Sequence, residues 1–174
     1  MASTLSLEPL RPEDAPAVQR WLHAHLRTHV RAWADVRGLG WTPPEADGHL
    51  LATDLVGEHW AALVRASRRR DHLVRVARLE GRPVGLAWAV VRPDDYLKES
   101  TGVLNWLFVD PAVRGHGLGR SLVAEAKRWM RSRGARSWVV SVLQGNEVAQ
   151  AVYAASGARP ADLRMMGSLE DDDG

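Results

Sequence analysis

The sequence predicts an α/β (α+β) fold: a mixed, mostly antiparallel central sheet with one parallel β-α-β unit and helices on both faces. Three observations lead there. Short runs of alternating or continuous apolar residues recur between turn residues, with segments of helical periodicity before and between them. Two adjacent runs, His72 to Leu79 and Val84 to Val91, are joined by Glu80-Gly81-Arg82-Pro83, which reads as a hairpin. A strand–glycine loop–helix–strand unit runs from Val103 to Val142, and such a crossover is right-handed and sets its two strands in parallel.

The elements follow in order. Thr4 to Leu7 alternates and reads as a first strand. Arg11-Pro12-Glu13-Asp14 opens a helix whose inward positions are Ala15, Val18, Leu22, Leu26, Val30 and Trp33. Gly38 and Gly40 end it. Thr42-Pro43-Pro44-Glu45 has the form of a capping box with prolines in the first turn, with Asp47 as the other candidate cap. A second helix is expected over Leu50 to Ala66, with Leu51, Leu55, Ala62 and Ala66 inward. After the hairpin, Arg92-Pro93-Asp94-Asp95-Tyr96 breaks the chain before the strand Val103 to Val109. The next helix buries Leu118, Leu122, Ala126, Trp129 and Met130 and stops at Gly134. Ser137 to Val142 is a β-rich run, Asn146 starts a helix that ends at Gly157, and Leu163 to Met166 reads as a last strand. Residues 1–169 form one domain, and the acidic tail 170–174 is expected to be disordered.

Composition narrows the function class. A chain of 174 residues with 45% hydrophobic and 25% charged residues has the balance of one globular domain. No apolar run approaches the roughly 20 residues needed to cross a bilayer. The N-terminus carries no basic segment followed by an apolar one, so no signal peptide is read and no membrane partner is expected. The absence of cysteine excludes disulfides and thiolate metal sites and fits a cytoplasmic protein. Arginine supplies nearly all of the basic charge, clustered at Arg68-Arg69-Arg70 and around Arg128, Arg131, Arg133 and Arg136. With a net charge of only +2 and acidic residues interspersed, a solvated surface explains these better than nucleic-acid binding. Eight tryptophans stand mostly at apolar positions of periodic segments, which makes them core residues, with one or two left to line a cleft.

The most informative segment is Val109-Asp110-Pro111-Ala112-Val113-Arg114-Gly115-His116-Gly117-Leu118-Gly119-Arg120. Glycines let a backbone approach a ligand, and the first turn of a helix offers unpaired N–H groups at a positive dipole end, so a phosphate compound is expected here. The glycine spacing excludes the dinucleotide fingerprint G-x-G-x-x-G, and Gly119-Arg120-Ser121 lacks the lysine of a P-loop. What fits is Arg-x-x-Gly-x-Gly over Arg114 to Gly119, after a strand and an Asp-Pro pair. A second motif, Asn-x-x-Ala-x-x-x-Tyr-x-x-x-Gly, runs from Asn146 to Gly157.

With these two motifs in this order, the chain resembles the GNAT superfamily of N-acetyltransferases over about residues 4 to 166. The opening Leu7 to Ala15 and the hairpin with Gly81 and Gly85 are similar to the superfamily's first strand and helix and its next two strands. The resemblance implies an acyl-CoA-dependent N-acyltransferase that moves an acetyl group from acetyl-CoA to a primary amine of a small molecule or peptide. The alternative is a CoA-binding regulatory module without catalysis on the same fold. It implies that the strand at Leu107, Phe108 and Val109 pairs its backbone with the pantetheine arm. Arg114, Gly115, His116, Gly117, Leu118 and Gly119 would wrap the pyrophosphate, with Arg120 in the first helical turn beside it and Asn146 on the cofactor side.

By the same resemblance Tyr153 is the general acid that protonates the departing thiolate, and a phenol, with its usual pKa near 10, is protonated for that task. A backbone N–H near Val109 would stabilise the oxyanion. Many relatives carry a glutamate in the strand before the loop, but Leu104-Asn105-Trp106-Leu107-Phe108 holds no carboxylate. Glu99 is the candidate base, with Asp94 and Asp95 beside it, acting through water or attracting a cationic amine. His49, His59 and His72 are assigned to surface or core, and no metal site is expected. Attack is direct, because no cysteine or Ser/His/Asp arrangement supplies a nucleophile. Trp33, Trp41, Trp60, Asp94, Asp95, Tyr96 and Glu99 would border the acceptor, aromatic faces beside carboxylates suiting an ammonium group. Members of the superfamily often form homodimers.

Overall fold

The structure, a computed structural model, describes residues 5–96 and 98–166. Thr4 and the acidic tail therefore lie outside the described residues. Five strands, β1 (Leu5–Pro9), β2 (His72–Leu79), β3 (Arg82–Pro93), β4 (Ser100–Val109) and β5 (Ser137–Val140), form one sheet in sequence order. The first three pairings are antiparallel and β4–β5 is parallel, as the sequence predicts. Five helices accompany them: α1 (Ala15–Val36), α2 (Pro43–Ala52), α3 (Leu55–Ser67), α4 (Leu118–Ser132) and α5 (Glu147–Ala155).

Strand alternation sorts the core onto two faces. Val74, Val76, Leu86 and Trp106 meet Val18, Trp21, Leu22 and Leu26 of α1 and Leu63 of α3. Leu73, Ala89 and Leu104 meet Val123, Ala126 and Met130 of α4 and Tyr153 of α5. Ala77, Val84 and Ala87 complete that second face against Leu118 and Leu122. The β2–β3 turn has positive φ at both Glu80 (51°) and Gly81 (79°), the two-residue turn whose twist matches the flanking strands. Glycine costs nothing there; glutamate pays a modest strain.

Two irregularities of β4 shape the molecule. Its register with β3 shifts between Trp88–Trp106 and Ala89–Leu104, so Asn105 is an extra residue bulged out of the ladder. Leu104 consequently faces α4 while Trp106, two residues on, faces α1. Pairing with β5 also stops at Leu104–Val140. From Asn105 to Val109 the β5-side edge of β4 has no strand partner among the described residues, and the sheet opens there.

Three expectations are corrected. The helix over Leu50 to Ala66 is two helices, broken at Thr53–Asp54, where Asp54 takes φ 48°. Short polar side chains compete with the helical ladder, and Thr53 Oγ1 donates back to the His49 carbonyl (2.8 Å). The break takes Leu51 out of the core, to 85% exposure, although Leu55 and Ala66 do pack inward. Trp33 is likewise half exposed (50%), while the next residue, Ala34, takes the buried position of that turn. Leu163 to Met166 forms no strand; Leu163 and Met165 are exposed and pair with nothing in the sheet. The capping box does form: the N–H and Oγ1 of Thr42 both donate to Glu45 (2.7 Å each), while Asp47 lies inside α2 and pairs with His23 and Arg27.

Candidate active site

The open end of β4 leads into a short, braced loop. Asp110 continues the sheet through its N–H to the Val84 carbonyl (2.9 Å), and its carboxylate accepts from Ala112 N–H (3.0 Å). That caps a 3-10 turn at Pro111–Val113. Gly115 (φ 85°) and Gly117 (φ 77°) both take left-handed backbone, and a Cβ at either would meet open space. Their requirement is conformational, since a side chain pays about 1–2 kcal/mol in that region.

Gly117 is the N-cap of α4 and offers no side chain to cap it. The first backbone bond of the helix runs from Ser121 N–H to the Gly117 carbonyl (3.0 Å). The N–H groups of Leu118, Gly119 and Arg120 therefore have no intrahelical acceptor. The first turn holds no acidic residue. These three donors and the helix dipole make a site for an anion, with Arg120 adding positive charge. Of the residues expected to wrap the pyrophosphate, the helix boundary puts Leu118 and Gly119 in the uncapped turn, together with Arg120.

Gly119 locks the parts together. A Cβ built on it would touch Val152 of α5 and Val109 of β4 at 3.7–3.8 Å, ordinary packing distances. The end of β4, the first turn of α4 and the middle of α5 thus converge. Tyr153, next to Val152, is 8% exposed and packs against Leu104 and Met130, with Trp138 edge-on at 6.4 Å. Burial pushes its phenol up to about 12. Its hydroxyl has no hydrogen-bond partner among the described residues and is not sealed from the surface.

The remaining loop residues brace the site. Arg114 Nε donates to the Val109 carbonyl (3.0 Å), and its guanidinium lies over Phe108 at 5.9 Å. His116 holds its Nδ1 against the Arg114 carbonyl (2.9 Å), which places a proton on Nδ1 and points the ring's other nitrogen away from the backbone contact. Asn146 is the N-cap of α5, its Oδ1 accepting from Ala149 N–H (3.2 Å). Lys127 closes the other end of α5, donating to the Ser156 carbonyl (2.6 Å) above the Trp138 ring.

Glu99 stands apart from this group. It precedes Ser100, at the end of β4 opposite the loop, and pairs with Arg136 (3.4 Å). A ten-residue strand at about 3.3 Å per residue separates it from Val109 by roughly 30 Å. Asp95 and Tyr96 are exposed beside it.

Sequence reasoning missed a cluster across the sheet. On the α1 face, Trp106 receives the His25 ring edge-on at 4.5 Å, and Phe108 stacks on Trp21 at 5.3 Å. His29, one turn along α1, lies over His25 at 4.0 Å. His59 of α3 is close enough to act electrostatically on His25. Burial first, then these two neighbours, push His25 down to about 3, so it is neutral. The four-residue spacing of His25 and His29 was the available signal. Among the described residues no group of three or more His, Cys, Asp or Glu is arranged to hold a metal ion.

Known proteins share this architecture. The family model described as "Acetyltransferase (GNAT) family" matches residues 33–158. The chain is 29% identical over 136 residues to an aminoglycoside N(6')-acetyltransferase type 1 of Salmonella typhimurium, covering 75% of this chain and 86% of that protein. It is 32% identical over 126 residues to a mycothiol acetyltransferase of Amycolatopsis mediterranei, covering 68% of this chain but 38% of that longer protein. The solved aminoglycoside N-acetyltransferase AAC(6')-Iy in complex with CoA superposes with a TM-score of 0.62 at 19% identity, over 97% of this chain and 96% of that one. The uncapped glycine loop at the open end of β4 thus belongs to a member of the acetyltransferase (GNAT) family.

Proposed function

We propose that this protein transfers the acetyl group of acetyl-CoA to a primary amine of a small molecule. The observation that carries the reading is the convergence of the unpaired edge of β4, the uncapped first turn of α4 and Tyr153. On this reading the pantetheine amides pair with Leu107, Phe108 and Val109 as an added strand would. The pyrophosphate takes the N–H groups of residues 118–120 and the charges of Arg114 and Arg120, with His116 at the rim. Arg114 leaves the Val109 carbonyl to do so. Asn146 keeps its side-chain amide available to the cofactor while its oxygen caps α5.

Chemistry then takes place where β4 opens. The amine nitrogen attacks the thioester carbonyl, a backbone N–H near Val109 holds the developing oxyanion, and the C–S bond breaks. Tyr153 gives its proton to the thiolate, a role that suits a phenol kept protonated by burial. The small-molecule acceptor follows the names of the relatives, an aminoglycoside and a mycothiol acetyltransferase. Glu99, at the far end of β4 and paired with Arg136, leaves the base to another group.

Thiol release from acetyl-CoA in the presence of neamine, glucosamine, spermidine and a short peptide tests the proposal, alongside calorimetry with CoA. Micromolar CoA binding with amine-dependent thiol release is expected. Absence of both would end the reading. CoA binding without turnover would favour the second reading, a CoA-binding regulatory module, for which the lack of any carboxylate on β4 speaks.

A further inference from the structure

We propose that the three imidazoles on the α1 face form the proton-accepting wall of the acceptor site, with His29 Nε2 taking the ammonium proton and His25 and His59 as positioning residues. This rests on the transferase reading above. The case begins with location. Trp106 is the first residue after the Asn105 bulge, where β4 has already lost its β5 neighbour. The His25 ring contacts Trp106 edge-on, and His29 covers His25. The trio therefore borders the open stretch of β4 on the sheet face opposite α4 and Tyr153.

Tautomers are fixed by the backbone. His29 Nδ1 lies 3.0 Å from the His25 carbonyl and His59 Nδ1 lies 2.9 Å from the Leu55 carbonyl. A carbonyl only accepts, so each Nδ1 carries a proton, and in the neutral ring it is Nε2 that presents the lone pair. All three side chains are half-buried, which lets them meet solvent-borne substrate. Among the described residues, no carboxylate is one of the groups that act on His25. β4 contributes Trp106 and no ionisable residue along its length. On α2, Asp47 is engaged by His23 and Arg27 and His49 lies against Trp41. On α1, Arg31 Nε is held by the Trp41 carbonyl, and on α3 Glu58 and Arg65 are exposed. With His25 held neutral, its ring packs between Trp106 and His29 without competing for the proton.

The step balances. The ammonium N–H bond breaks and its proton goes to His29 Nε2; the freed lone pair forms the N–C bond; the C–S bond breaks and the thiolate takes the Tyr153 proton. The second N–H proton, shed as the amide forms, passes through solvent to the phenolate, the imidazolium gives its proton to bulk water as the one net proton released, and no oxidant or further reactant is needed.

The test compares wild type, His29→Gln and His29→Ala over pH 5.5–9, using acetyl-CoA with the four amines named above and CoA calorimetry as the measure of a folded site. Three results together support the inference: kcat falls about a hundredfold or more, CoA affinity stays the same, and the acid limb of the wild-type kcat/KM profile disappears. Added imidazole should then restore His29→Ala about tenfold or more, which a merely structural role would not allow. Variants within about threefold of wild type with the acid limb intact would overturn it, as would a loss that neither moves the limb nor responds to imidazole. Wild type that binds CoA yet acetylates none of the amines removes the transferase reading, and this inference with it.

Discussion

In the proposed reaction, Tyr153 concentrates the chemistry of the donor side in one hydroxyl. Burial beside Leu104, Val123 and Met130 raises its phenol to about 12, so it is protonated throughout the working pH range. An acid with so high a pKa gives up its proton only to a strong base, and a departing thiolate held in a poorly hydrated cleft becomes one. Tyr153→Phe removes that proton and little else, because no protein group among the described residues hydrogen-bonds the hydroxyl. Denaturant midpoints should show a stability change within about 1 kcal/mol. Steady-state kinetics should show kcat down roughly a hundredfold with the KM for acetyl-CoA little altered. A kcat equal to wild type would take the acid role away from Tyr153. The neighbouring residues divide differently: Asn146 was legible from its spacing, but only the structure shows its oxygen committed to the Ala149 N–H.

Among elements, the strand–loop–helix unit was the most legible, since glycine spacing, the Asp-Pro pair and the apolar stripe of α4 all encode local backbone. Legibility failed where tertiary contacts decide. Nothing in Thr53-Asp54 alone says that a periodic run will break, and nothing in Leu163-Arg164-Met165-Met166 says that a strand-like run lacks a partner. The Asn105 bulge was equally silent, because it is a matter of register between β3 and β4. A buried ion pair was missed for the same reason. Arg78 of β2 (side chain 4% exposed) donates to Asp14 (1%) at 2.8 Å and to Glu8 of β1 at 3.2 Å, and Asp14 also accepts the Arg11 N–H at 2.8 Å. One guanidinium thus ties the first strand and the entry to α1 onto the sheet. Arg78→Met strands a buried carboxylate, and chemical denaturation should show a loss of about 3–5 kcal/mol. Adding Asp14→Leu should recover part of it by removing the orphaned charge. A single variant as stable as wild type would mean that the pair is not a structural tie.

For the whole molecule, the histidines on the α1 face of the sheet couple fold stability to pH. His25 is held at about 3 in the folded protein against 6.5 in an unfolded chain, and burial leads the causes. His72 is lowered too, again chiefly by burial. Between pH 6.5 and 3 the unfolded chain binds a proton at His25 that the folded one refuses. Stability from this group is therefore complete above pH 6.5 and is lost progressively as pH falls through that window. The lowered carboxylates, Asp71 beside Arg69 and Glu45 in its capping box, work in the same direction but only below their ordinary values of 3.8 and 4.5. A comparison at pH 7.5 and 5.5 thus isolates the imidazoles. Wild type should be less stable at pH 5.5 by about 1 kcal/mol from His25 alone, with a further loss in the same direction from His72. His25→Phe, which keeps a ring against Trp106, should lose less, the remainder belonging to His72. Urea midpoints for both proteins at the two pH values decide it. Equal acid losses in wild type and variant would show that His25 does titrate freely and that the α1 face is not the neutral wall proposed for the acceptor site.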